Sequence, residues 1–81
     1  MVTERSIRLN GTTCTAVISD QPEALLAAKA AGRAVVGVES GNSEIWAMKG
    51  IPYVIPDIED ATDELLELVI RRHLELPWNI C

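Results

Sequence analysis

The amino-acid sequence predicts an α/β fold, a three-layer α-β-α sandwich around a short, three- to four-stranded, mostly parallel sheet. Three observations predict it. Residues 15–39 hold an apolar run ending in Ser19-Asp20, an alanine-rich helix opened at Pro22 and closed by Gly32, and a second apolar run, Val35-Val36-Gly37-Val38. That order is one β-α-β unit. Strand-like and helix-like segments then keep alternating as far as Leu74. Apolar residues make up 48% of the 81, with no Phe, so the chain can fill a small aliphatic core and is not composed like a disordered segment. Three strands with helices on both faces amount to half of a doubly wound fold with right-handed crossovers.

Taken in order, residues 1–11 are read either as the first arm of a hairpin or as a frayed N-terminal arm. Ser6-Ile7-Arg8-Leu9 alternates polar and apolar, and Asn10-Gly11 is a strong type I′ turn signal. Residues 13–19 form a strand whose Val17-Ile18 end suits burial on both faces. Asp20 or Gln21 caps the next helix, Pro22 sits in its first turn, and Glu23 complements the dipole. That helix covers 22–31, with Leu25, Leu26, Ala28 and Ala31 available to face the sheet. Residues 34–38 make the second strand. Ser43 or Asn42 caps a short helix over 44–49 that Gly50 ends, with Ile45, Ala47 and Met48 on its apolar face. Residues 52–55 give a short strand between Pro52 and Pro56, suited to a sheet edge. The longest helix is expected over 60–74, where Leu65, Leu66, Val69, Ile70 and Leu74 recur at helical spacing. Its start is acidic and its end carries Arg71, Arg72 and His73, as the macrodipole favours. Pro77 stops it, leaving the apolar tail Trp78-Asn79-Ile80-Cys81 with nothing in the chain to join. The whole, 1–81, reads as a single domain, with 77–81 a tail or a linker toward a further domain.

A chain this short buries only a little over ~60% of its unfolded surface, so modest stability is expected. The net charge of -5 and the scattered Lys and Arg argue against nucleic acid and anionic membrane surfaces as partners. No stretch is long and apolar enough for a membrane span, and the charged first residues do not read as a signal peptide. Cys14 and Cys81 are read as reduced thiols of a cytoplasmic protein, Cys14 buried and inert.

Ligands of open α/β sheets bind beyond the carboxyl ends of the strands. Here that rim is Asp20 with the loop Glu39, Ser40, Gly41, Asn42 and Ser43, the candidate site for a small anion at two helix starts. Plain helix capping explains the same residues, and the carboxylates of Asp20 and Glu39 oppose a phosphate. No dinucleotide or Walker glycine pattern is present. His73 is the sole histidine, and with two distant cysteines it builds no metal cluster. No metal, cofactor or catalytic residue is therefore expected. Tyr53, Trp78 and Ile80 are the candidate interface residues.

Two family resemblances add to this. Ser19-Asp20 with Ala31-Gly32, Val35-Val36 and Tyr53-Val54-Ile55-Pro56-Asp57 resembles the late segment of haloacid-dehalogenase-like (HAD-like) phosphatases, which implies a Rossmann- or HAD-like half fold with Asp20 at a magnesium-site station. The nucleophile Asp-x-Asp of that family is missing. Nearly the whole chain resembles the small N-terminal domain that precedes the catalytic domain in some bacterial GNAT-family N-acetyltransferases. The matching residues are Asp20, Ala31-Gly32, Val35-Val36, Tyr53-Val54-Ile55, Asp57-Ile58-Glu59-Asp60, Arg71-Arg72 and Leu76-Pro77-Trp78-Asn79-Ile80. This resemblance implies a non-catalytic accessory or interaction domain without an acetyl-CoA site, whose partner is an adjoining acetyltransferase domain or a second copy. A small anion-binding domain is the alternative, and a phosphatase remnant the weakest reading.

Overall fold

The computed structural model describes residues 2–39, 50–77 and 79–81. Among these lie strands β1 (Val2–Leu9) and β2 (Thr12–Ser19), helix α1 (Pro22–Ala30), strands β3 (Ala34–Val38) and β4 (Val54–Ile55), and helix α2 (Asp63–His73). The helix expected over 44–49 and the loop 40–43 lie outside the described residues.

The N-terminal segment is a hairpin, not a frayed arm. β1 and β2 pair antiparallel over their full length, from Val2 opposite Ser19 to Leu9 opposite Thr12. Asn10 and Gly11 form the two-residue turn with φ of 52° and 81°, the left-handed pair that a type I′ turn requires and that Asn and Gly tolerate best. β3 joins β2 in parallel, and β4 joins β3 in parallel, giving the order β1-β2-β3-β4. The sheet is therefore mixed, and its longest ladder is the antiparallel one. β4 holds only Val54 and Ile55; Pro52 and Tyr53 precede it, although the Tyr53 carbonyl still accepts from Gly37 N–H at 2.8 Å.

Side-chain alternation along β2 and β3 divides the core. Cys14, Ala16 and Ile18 on β2 and Ala34, Val36 and Val38 on β3 pack with Leu66, Val69 and Ile70 of α2. The alternate residues Val17 and Val35 pack with Leu25 of α1 and with Ile51. Leu25 is fully buried, whereas Leu26 is 45% exposed and Ala31 lies at the surface, so α1 turns a narrower stripe inward than expected. A nine-residue helix offers the sheet little more than one row of side chains.

The caps also differ from expectation. Gln21 is the N-cap of α1 and makes no side-chain cap bond; the Ser19 hydroxyl instead accepts from Gln21 N–H at 3.0 Å. The acidic run 57–60 does not open the last helix. Asp57 accepts from Glu59 N–H and starts a 3-10 turn at Ile58–Asp60, and α2 begins afresh three residues later, with the Thr62 hydroxyl accepting from Leu65 N–H at 3.2 Å. Arg5 of β1 anchors that start, donating to the Ala61 carbonyl and pairing with Asp63 at 2.8 Å. Both side chains are well exposed, so this pair contributes a fraction of ~1 kcal/mol.

Two sequence expectations about the tail are overturned. It does pack: Ile80 N–H donates to the Gly32 carbonyl at 2.9 Å, and Asn79 Nδ2 donates to the His73 carbonyl at 2.8 Å. The cysteines are not free thiols either. Cys14 and Cys81 form a disulfide, with Cα atoms 4.3 Å apart across 67 residues of sequence. Their separation in sequence hides this, because α2 lies across β1, β2 and β3 and returns the chain beside Cys14. The cysteines thus lend no support to a reducing compartment. Among the described residues no helix is long and apolar enough to cross a membrane.

Candidate functional site

The topology brings Asp20 and Glu39 to one rim. Asp20 follows the last residue of β2, Glu39 follows the last residue of β3, and the two strands run parallel with Ser19 opposite Gly37. Glu39 is half-buried and its N–H donates to the Ile55 carbonyl at 2.9 Å. Asp20 is half-buried and engaged with neighbouring groups. Ser40, Gly41, Asn42 and Ser43 lie outside the described residues, so the described rim is Asp20 and Glu39 at the ends of two neighbouring strands. Two acidic residues at neighbouring strand ends disfavour an anion there. Among the described residues no group of three or more His, Cys, Asp or Glu is placed to hold a metal ion.

A larger feature lies at the other end of the sheet, which sequence reasoning did not single out. There a cleft of about 640 Å³ opens between the C-terminal ends of α1 and α2. Its floor is apolar, made by Ala34 and Val35 at the start of β3 and by Val69 of α2, all buried. Tyr53 and Pro52, just ahead of β4, form one wall. The rim is basic: Lys29, Arg33, Arg72 and His73 line the cleft, and no Asp or Glu does among the described residues.

These four side chains are not equivalent. Lys29 Nζ is committed to the Gly50 carbonyl at 2.6 Å. His73 Nε2 lies 2.8 Å from the Ile80 carbonyl. The guanidiniums of Arg33 and Arg72 make no hydrogen bond or ion pair with any described residue, in contrast to neighbouring Arg71, whose Nε and Nη2 both reach Glu67. Helix C-termini carry negative dipole ends that would oppose an anion. Here several of the terminal carbonyls are already taken. Arg33 N–H reaches Ala28, Gly32 N–H reaches Lys29, and Asn79 takes His73. Over the apolar floor, the guanidiniums of Arg33 and Arg72, without a partner among the described residues, join the Lys29 ammonium as the charges lining the cleft.

Three separate segments build this cleft: the turn after α1, the approach to β4, and the end of α2 with its tail. Of the residues singled out from sequence, Tyr53 lines it. Ile80 borders it through its backbone bond to Gly32, with a side chain 51% exposed. Trp78 is outside the described residues. Arg33 beside a helix-stopping glycine and Arg72-His73 at a helix end were the available signals, and each reads locally as nothing more than dipole complementation. No family model, no curated protein and no solved structure matches the chain.

Proposed function

We propose that the chain is a non-catalytic accessory domain that binds a small anionic ligand in the cleft between the ends of its two helices. The observation that carries this reading is the pair of guanidiniums, Arg33 and Arg72, without a partner among the described residues and above an apolar floor, in a chain of net charge -5. Positive charge gathered in one concave place on an acidic molecule focuses anions there. Arginine suits the role because its planar fork binds phosphate or carboxylate through two bonds at once. The volume is that of a small-molecule site, which is a few hundred to ~1,000 Å³. The apolar floor and Tyr53 favour an anion with an apolar or aromatic body over a bare inorganic ion.

The reading moves the anion site from the strand-end rim of Asp20 and Glu39 to the opposite end of the sheet. It agrees with the resemblance to the N-terminal domain of GNAT-family acetyltransferases, in which ligand binding here would serve an adjoining catalytic domain. Its framework is the three-layer α-β-α arrangement, with α1 over Val17 and Val35 and α2 over the alternate residues of the same strands.

Amide chemical shifts of the oxidised chain, followed during titration with phenyl phosphate, test the proposal. Saturable shifts are expected at Arg33, Ala34, Tyr53 and His73. Arg33→Glu and Arg72→Glu should each weaken binding by about tenfold or more, as for the loss of a charge-assisted hydrogen bond, and binding should weaken as salt screens the pair. Shifts confined to Ser19–Gln21 and Glu39, or no saturable shift, would sink the cleft as the site.

A further inference from the structure

We propose that the Cys14–Cys81 disulfide is a redox latch, and that its reduction releases residues 79–81 and opens one wall of the basic cleft. The consequence for binding rests on the cleft being the ligand site; the latch itself stands on the geometry of the tail.

Among the described residues, the tail is held at the cleft by a few hydrogen bonds. Ile80 N–H donates to the Gly32 carbonyl, the Ile80 carbonyl meets His73 Nε2, and Asn79 Nδ2 donates to the His73 carbonyl. Gly32, His73 and Asn79 all line the cleft, so these contacts are its wall. The Ile80 side chain is half exposed and contributes little apolar burial. Asn79 N–H also donates to the Leu76 carbonyl at 3.1 Å, and Cys81 packs against the core. Among the described residues, four hydrogen bonds of modest net value and this limited packing stand against the entropy of ordering the tail. The covalent bond is what settles the balance.

The disulfide can also be reached. Cys14 is fully buried within β2, but Cys81 is only half-buried. A second cavity, of about 360 Å³, touches both cysteines and is bounded by Leu9, Leu74 and Arg71. A dithiol supplies the two electrons and two protons. Its first thiolate attacks Cys81 Sγ, the S–S bond breaks, and Cys14 leaves as a thiolate that takes up a proton. The second thiol of the reductant then displaces Cys81 as a thiol and closes its own disulfide.

The test compares the full chain oxidised and after dithiothreitol, with thiol content confirmed by mass. On reduction Ile80 N–H should lose roughly tenfold or more of its hydrogen-exchange protection and approach an exposed amide, while Ile18 and Val36, in the central strands, stay strongly protected and fall only by the drop in global stability. Phenyl phosphate should bind the reduced chain severalfold more weakly. Cys81→Ser should behave as the reduced chain with or without dithiothreitol. Unchanged Ile80 protection in the reduced chain, or in Cys81→Ser, overturns the latch. Retained strong protection at Ile80, falling only in step with Ile18 and Val36, also overturns it, because Ile80 would then exchange only through unfolding of the whole domain. Failure of phenyl phosphate to bind either form removes the cleft reading and the gating with it, while exchange at Ile80 still decides whether the tail is released.

Discussion

Two adjacent leucines on α1 show how much a single position decides. Leu25 has no exposed surface and packs with Val17, Val35 and Ile51, the buried cluster that the described residues form on that side of the sheet. Leu26, one step along, is 45% exposed. Leu25→Ala should therefore destabilise the domain by about 2–5 kcal/mol through lost transfer and a residual cavity, and Leu26→Ala by less than ~0.5 kcal/mol. Denaturant midpoints of the two variants check this; equal losses would mean that α1 is rotated from the position described. The sequence contains both leucines but not the choice between them. Phase is read from a polar face opposing an apolar one, and alanines surround this helix on all sides. The same ambiguity hides the start of α1, where Asp20 and Gln21 both offer side-chain oxygens; Gln21 takes the N-cap position without a side-chain cap bond, and Ser19 holds the Gln21 N–H instead. Arg33 was legible as a charge after a helix stop and illegible as a cleft residue, since its neighbours Tyr53 and Arg72 are distant in sequence.

Elements whose geometry is fixed by their own residues were the most legible. Asn10-Gly11 specifies a two-residue turn by steric necessity, and the full β1–β2 ladder follows from it. Gly32, at φ 84°, ends α1 for the same reason. The antiparallel character of the sheet was harder to weigh, because the β-α-β unit that dominates the pattern specifies only the parallel half. The start of α2 was misplaced by three residues since the acidic run 57–60 and Thr62 both resemble a helix opening. The structure uses both, one for a 3-10 turn and one for the helix. Thr62→Ala should consequently cost about 1 kcal/mol, with Thr62→Ser retaining most of the stability. Urea unfolding of the two variants measures it. A loss for Thr62→Ser as large as for Thr62→Ala would assign the effect to the methyl group and not to the hydroxyl that accepts from Leu65.

At the scale of the whole molecule, the features that matter join residues far apart in sequence, and this is why they escaped the pattern of the chain. The cleft needs the ends of α1 and α2 brought to one end of the sheet, and the disulfide needs α2 to return its tail to β2. The cross-link spans 67 residues. On the chain-entropy account, closing a loop of that length removes enough freedom from the unfolded chain to stabilise the fold by about 4 kcal/mol. Domains of this size have a stability of roughly 4–12 kcal/mol, so the bond is a large share of it. Reduction returns that freedom to the unfolded state, and the size of the loss then reports on the native tail. A tail that stays ordered gives a loss of about 4 kcal/mol. A tail that detaches returns about 1–2 kcal/mol of backbone freedom for each released residue to the folded state, less the hydrogen bonds given up, and the loss is smaller. Release of 79–81 therefore predicts that guanidinium unfolding with dithiothreitol shows a two-state transition at a lower midpoint, with a stability loss well under ~4 kcal/mol. A loss at or above that figure would mean that the tail holds its place without the bond.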